Sequence, residues 1–177
     1  MALAVALAVA ASACGGDSND DVASRYFHAV VVEQGAFEKA QADLWPVLAL
    51  ISERESWSRA VNAWRRGRDR YDELAVAMDS IEPPPTLRQA HEGLVESLRS
   101  YSQWADEMAA AFQQAADAYE SEDAGLLAEL TRSIRTLSTG DSKTLRSRWR
   151  LAARGYAREV GVDFPPDLLS VGTSGNR

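Results

Sequence analysis

Between about residue 20 and residue 161, apolar side chains recur every three or four positions, the spacing of an amphipathic helix. No stretch alternates convincingly at the period of two that a half-buried strand requires. The first helix follows Asn19-Asp20-Asp21, residues suited to an N-cap and to the positive end of the helix dipole. Its inward stripe is expected to include Val22, Tyr26, Val30, Phe37, Leu44 and Leu48, with Pro46 kinking the helix or ending it early. The capping-box spacing of Ser52-Glu53-Arg54-Glu55 predicts a second helix from that point. Along it Trp57, Val61, Trp64, Tyr71, Leu74, Met78 and Ile81 share one face.

Glu82-Pro83-Pro84-Pro85 stops this helix, because successive prolines supply no N–H groups. Thr86 and Gln89 form another capping-box pair immediately afterwards. The third helix has the cleanest stripe, running from Leu87 and His91 through Leu98, Ala105 and Phe112 to Tyr119. After a short connection at residues 121–125, Leu127, Leu130, Ile134, Leu137, Leu145, Trp149, Ala152, Tyr156 and Val160 continue in phase. That continuity predicts one long fourth helix, irregular near Gly140, with Asp141 at an inward position. Gly161 is a natural C-cap, and Pro165-Pro166 blocks continuation. The expectation is an all-α fold, an up-down-up-down four-helix bundle with long third and fourth helices. The bundle should occupy 21–161. Residues 162–177 should form a loosely ordered tail, docked if at all by Phe164, Leu168 and Leu169.

The segment ahead of the bundle has a different character. Residues 2–13 are alanine, leucine, valine and one serine, with no charge. A membrane-spanning helix needs roughly 20 such residues, so this run is too short to cross. It has instead the length of a secretory-signal core with small residues before a cut. It ends in Ala11-Ser12-Ala13-Cys14, which is followed at once by Gly-Gly-Asp-Ser-Asn-Asp-Asp. Those four residues resemble the lipobox of bacterial lipoprotein precursors, with Ala11 where leucine is usual. The resemblance implies a signal peptide over 1–13 and a diacylglycerol (palmitate-type) modification of Cys14. It also implies a tether over 14–20 and an extracytoplasmic domain anchored by lipid to the cell membrane.

With 177 residues, 46% hydrophobic and 25% charged, the chain has the composition of one ordinary globular domain. Cys14 is its one cysteine, so no internal disulfide can form. A net charge of -7 argues against a general nucleic-acid binder. The charge is unevenly placed: residues 86–130 hold nine acids and two arginines, whereas 131–160 hold eight bases and two acids. Much of this is expected to pair across the interface between the last two helices. Lys143, Arg146, Arg150 and Arg154, spaced three and four apart, make a candidate basic ridge for anionic lipid headgroups. Trp64-Arg65-Arg66-Gly67-Arg68-Asp69-Arg70 spreads its arginines over several helix faces and is expected to be solvated surface.

His91 is the one candidate metal ligand, since a buried imidazole in a bundle can bind iron or another metal. It has no Glu-x-x-His, His-x-x-x-His or Cys-x-x-Cys-His neighbourhood, and a hydrogen-bonded structural role is the more economical expectation. His28 falls off the stripe. Glu92, Glu96, Asp106 and Glu107 belong to the outward side of the third helix and more economically solubilise it than work as acid and base. Trp45 beside Pro46 is a place where a kink can open a pocket. No phosphate loop, nucleophile elbow or metalloprotease motif is present. The expected function is therefore a non-catalytic binding or interaction module of the cell envelope. No cofactor is expected, and the partner is the membrane, together with an envelope protein or small ligand. The alternative is a ligand- or metal-binding bundle, a sensor or carrier, with its site near His91.

Overall fold

A computed structural model describes residues 18–168, with the side chains of Ile51 and Ser52 excepted. The described residues are all-helical, without strands. Five α-helices follow one another: α1 (Asn19–Leu44), α2 (Trp57–Asp79), α3 (Arg88–Glu120), α4 (Ala124–Thr136) and α5 (Ser142–Val160). Among these residues no helix is long and apolar enough to cross a membrane.

α1 stops at Leu44, and Trp45–Ser52 tightens into a 3₁₀ stretch with Pro46 near its start. A proline there breaks the α-helical hydrogen-bond ladder, as the sequence requires. The capping box of Thr86 and Gln89 does not form, and the side chain of Ser52 lies outside the described residues. α2 and α3 are instead entered through short 3₁₀ turns at Arg54–Ser56 and Pro85–Leu87, and neither has a side-chain cap. Asp123 caps α4, its carboxylate accepting from the Leu126 N–H at 2.9 Å.

The expected single fourth helix is two helices. Leu137 takes an extended backbone (φ -59, ψ 137), and Gly140 sits at φ 56, a conformation that costs glycine little and other residues much. The apolar phase survives this break because α4 and α5 each turn a stripe toward α3. Asp141 is exposed and precedes α5, and Ser142 takes the buried place. At the other end of α5, Gly161 adopts φ 78 and closes the helix as expected.

α2 and α3 share the most extensive helix–helix interface. Trp57, Val61, Trp64, Tyr71, Leu74 and Met78 face inward from α2, opposite the buried run from Leu94 to Ala118 on α3. Tyr119, the last residue of the expected α3 stripe, is exposed and lies edge-on to Trp57 at 6.2 Å. An aromatic cluster links three helices, with Phe37 4.9 Å from Tyr101 and 5.7 Å from Tyr71, ring centre to ring centre. Tyr26 and Phe27, early in α1, meet Trp149 and Tyr156 in α5, while Phe37 further along meets Arg146 near its start. α1 and α5 therefore run antiparallel. Phe164 packs on Phe27 at 5.5 Å and Leu168 is fully buried, so the segment after α5 folds back onto the same end of the domain. Leu169 lies outside the described residues, as do residues 1–17.

Candidate functional site

Three features of the domain hold its unusual chemistry: a buried hydrogen-bonded trio, a buried arginine beside a small cavity, and an exposed basic face.

The trio is Trp149, Tyr26 and His91. The indole N–H of Trp149 is only a donor, and it donates to the Tyr26 hydroxyl oxygen at 2.9 Å. The Tyr26 hydroxyl lies 3.0 Å from His91 Nδ1, and His91 Nε2 lies 3.0 Å from the Met78 carbonyl oxygen. A carbonyl oxygen can only accept, so Nε2 carries the imidazole proton. In the neutral ring Nδ1 is then the acceptor, and Tyr26 donates to it. Each donor in the chain meets one acceptor, and both ring nitrogens are engaged. His91, 3% exposed, thus has no lone pair free for a metal, and its geometry is that of a structural residue tying α1, α2 and α3 together. Burial, the largest influence, holds its pKa below 6.5, with the Met78 carbonyl partly opposing. Burial likewise raises the Tyr26 phenol, with the Trp149 N–H working in the opposite direction.

The neutral imidazole has a consequence in acid. Unfolded His91 binds a proton near pH 6.5 whereas the folded ring resists it, so the unfolded state carries more protons below that pH. Stability is present above about pH 6.5 and is lost as pH falls toward the lower folded value. His91→Phe should flatten this acid limb in urea-unfolding curves taken between neutral pH and pH 5, even if it lowers stability throughout.

Arg146 is the residue that the sequence pattern misplaces. It was expected on an exposed ridge, but it is 7% exposed, with its guanidinium 3.9 Å from the centre of the Phe37 ring. It lies on the inward row Ser142, Arg146, Trp149, Ala153 and Ala157, whose small members leave room for it. Desolvation is the main reason that its pKa falls to about 10, and the neighbouring Tyr101 opposes that fall. Its Nη2 and the Nε2 of Gln34, itself 5% exposed, are buried with no protein partner. Both residues line a cavity of about 10 Å³, together with Leu94, Trp149, Arg150 and Leu168. That volume is at the lower limit for one water. A single oxygen accepting from both donors is what the site can accommodate.

Arg150 is half-buried beside it, so Lys143, Arg146, Arg150 and Arg154 do not form one exposed ridge. Lys143 and Arg154 remain exposed, Arg154 with its guanidinium 5.7 Å from the Phe164 ring centre. They share the outward face of α5 with Arg148 and Arg158, which sequence reasoning did not single out. Leu151 stands among them at 76% exposure.

The remaining candidates are surface features. Arg68 bridges to Asp69 at 2.7 Å and to Asp106 at 3.1 Å, and Arg70 to Glu73 at 2.9 Å. Arg99 of α3 reaches Asp79 of α2 at 3.5 Å. Arg68–Asp106 and Arg99–Asp79 join α3 to α2, not to the basic segment as expected, whereas Arg68–Asp69 and Arg70–Glu73 lie within α2. They are exposed, and solvent screening leaves each with little effect on stability. Glu92, Glu96, Asp106, Glu107 and His28 are exposed. Trp45 is 62% exposed and does not line the cavity beside Arg146. Among the described residues no three His, Cys, Asp or Glu side chains converge to hold a metal ion. Cys14 lies outside the described residues.

No protein-family model matches the chain, and neither does any curated protein or solved structure.

Proposed function

We propose that the chain is a lipid-anchored extracytoplasmic domain, held at the membrane through Cys14, that acts as a non-catalytic interaction module of the cell envelope. The observation that carries this reading is the sequence around Cys14. Twelve uncharged small and apolar residues end in Ala11-Ser12-Ala13-Cys14, and a glycine- and acid-rich run follows directly. Two or more acyl chains on one residue anchor stably, where a single chain binds only marginally. Support also comes from where the helices begin. α1 starts at Asn19, five residues after the cysteine, so little chain separates anchor from domain.

The interior supports a non-catalytic role. Its histidine is spent on structural hydrogen bonds, and its arginine rests on a phenyl ring beside a cavity that has room for about one water. The architecture inferred is a bundle in which α1, α2, α3 and α5 alternate in direction, with α4 a short segment between α3 and α5.

Fractionation of cells expressing the full chain tests the anchor. The unaltered protein should sediment with membranes and require detergent for release. Cys14→Ser should shift most of it to the soluble fraction, or leave it as uncleaved precursor of higher mass. Identical fractionation and identical mass for the two proteins would overturn the reading.

A further inference from the structure

We infer that the outward face of α5 is a docking surface for anionic lipid headgroups, on which the domain lies against its own membrane. At about 100° per residue, Lys143, Arg148, Arg154 and Arg158 fall within an arc of about 140°, with Leu151 near its centre. All five are exposed. The other residues in the arc are Ser147, Thr144 and Gly155, and no acid falls within it; Glu159 stands at its border. The protein as a whole carries a net charge of -7, so four bases gathered on one face run against the composition. Of the α3 acids, Asp106 pairs with Arg68 of α2 and Glu96 with Arg99 of α3 itself.

Leu151 gives the face a further property. A leucine at 76% exposure inside a basic arc has little reason to stay in water, but it can dip below the headgroups while the arginines contact phosphates. Lys143, Thr144, Ser147, Arg148 and Leu151 lie side by side on the open surface of this one helix. Such a shallow feature suits a surface and not an enclosed small molecule.

Position agrees with charge. Tyr26 and Phe27, near the start of α1, contact Trp149 and Tyr156 of α5, so the second half of α5 lies beside the end where the chain enters from Cys14. The chain between Cys14 and Asn19 spans at most about 18 Å however it is arranged. Arg154 and Arg158 are therefore held close to any anchor at Cys14. This orientation rests on the lipid-anchored reading, whereas the affinity of the face for anionic lipid does not.

The test uses the full chain with Cys14→Ser and a single new cysteine carrying an environment-sensitive fluorophore. In one protein the label sits at Leu151→Cys, and in a second at Val76→Cys, an equally exposed position on α2. The apolar residues 2–13 are common to both and cancel in the comparison. With vesicles containing phosphatidylglycerol the Leu151 label should shift to the blue, and with pure phosphatidylcholine it should not. Each basic residue near an anionic surface strengthens partitioning about five-fold, so Arg148→Glu with Arg158→Glu should weaken it at least about 25-fold. Raising salt from about 0.05 to 0.5 M should reverse the shift, since screening shortens the reach of the charges. No shift on phosphatidylglycerol, an equal shift on phosphatidylcholine, or an equal shift at Val76 would overturn the assignment. An unmodified Cys14 in the cell would instead overturn the anchor and leave the vesicle result standing.

Discussion

Tyr26→Phe should lower the unfolding free energy by about 2–6 kcal/mol, a large effect for the loss of one oxygen atom. The hydroxyl accepts from the Trp149 indole and donates to His91 Nδ1, both in the buried core. Phenylalanine fills nearly the same space, so cavity formation contributes little. Its removal leaves one buried donor and one buried acceptor without partners, and each orphan costs about 1–3 kcal/mol. Urea unfolding at neutral pH measures the drop as a lower midpoint at unchanged slope. A second variant separates hydrogen bonding from shape. Trp149→Phe removes the indole donor, so the double variant Tyr26→Phe with Trp149→Phe should cost less than the sum of the singles. Strict additivity, or a Tyr26→Phe cost within about 0.5 kcal/mol of zero, would contradict the hydrogen-bonded chain.

At Arg146 the size and the charge of the side chain should have opposite consequences. Arg146→Ala should destabilise by about 2–4 kcal/mol, because it empties the space between Phe37, Trp149 and Gln34. Arg146→Met should change stability by no more than about 1.5 kcal/mol in either direction. It keeps the packing and gives up an attraction to Phe37 worth about 2 kcal/mol when desolvated. It also removes the desolvation of a buried guanidinium, which is of similar size and opposite sign. The depressed pKa of about 10 reflects that same desolvation. The comparison is made by urea unfolding at neutral pH. If methionine proved as costly as alanine, the charge itself would be stabilising, and its contact with the Phe37 ring would outweigh the desolvation.

The stripes of α2 and α3 were legible because each is a long helix whose buried face is apolar at strict three- and four-residue steps. His91 was legible as a residue on such a stripe, but its partners were not. Tyr26 lies 65 positions from His91 and 123 from Trp149 in sequence, and nothing in local spacing brings them together. The break at Gly140 was hidden by the phase that survives across it, although Ser138-Thr139-Gly140-Asp141-Ser142 has the composition of a turn. Its physical signature is the positive φ at Gly140, which a periodicity argument does not see.

The inward face of α5 was displaced for a related reason. Leu145, Ala152, Tyr156 and Val160 look like a stripe, yet all four are half-buried. The fully buried row is Ser142, Arg146, Trp149, Ala153 and Ala157, in which only Trp149 is large and apolar. Hydrophobic periodicity follows the larger residues and so turns the helix slightly too far. That rotation put Arg146 outside and left Arg148 and Arg158 unremarked. A long cation among small neighbours on one row was the available signal that the guanidinium lies within.

The anchor at Cys14 is the claim on which the proposed function depends, and one measurement addresses it directly. The protein is extracted from membranes of a bacterial host expressing the full chain, digested, and its N-terminal peptide identified by mass spectrometry. The proposal predicts a mature chain that begins at Cys14, with a diacylglyceryl group on the sulfur. A mature N-terminus elsewhere, or a free thiol at Cys14, would contradict it.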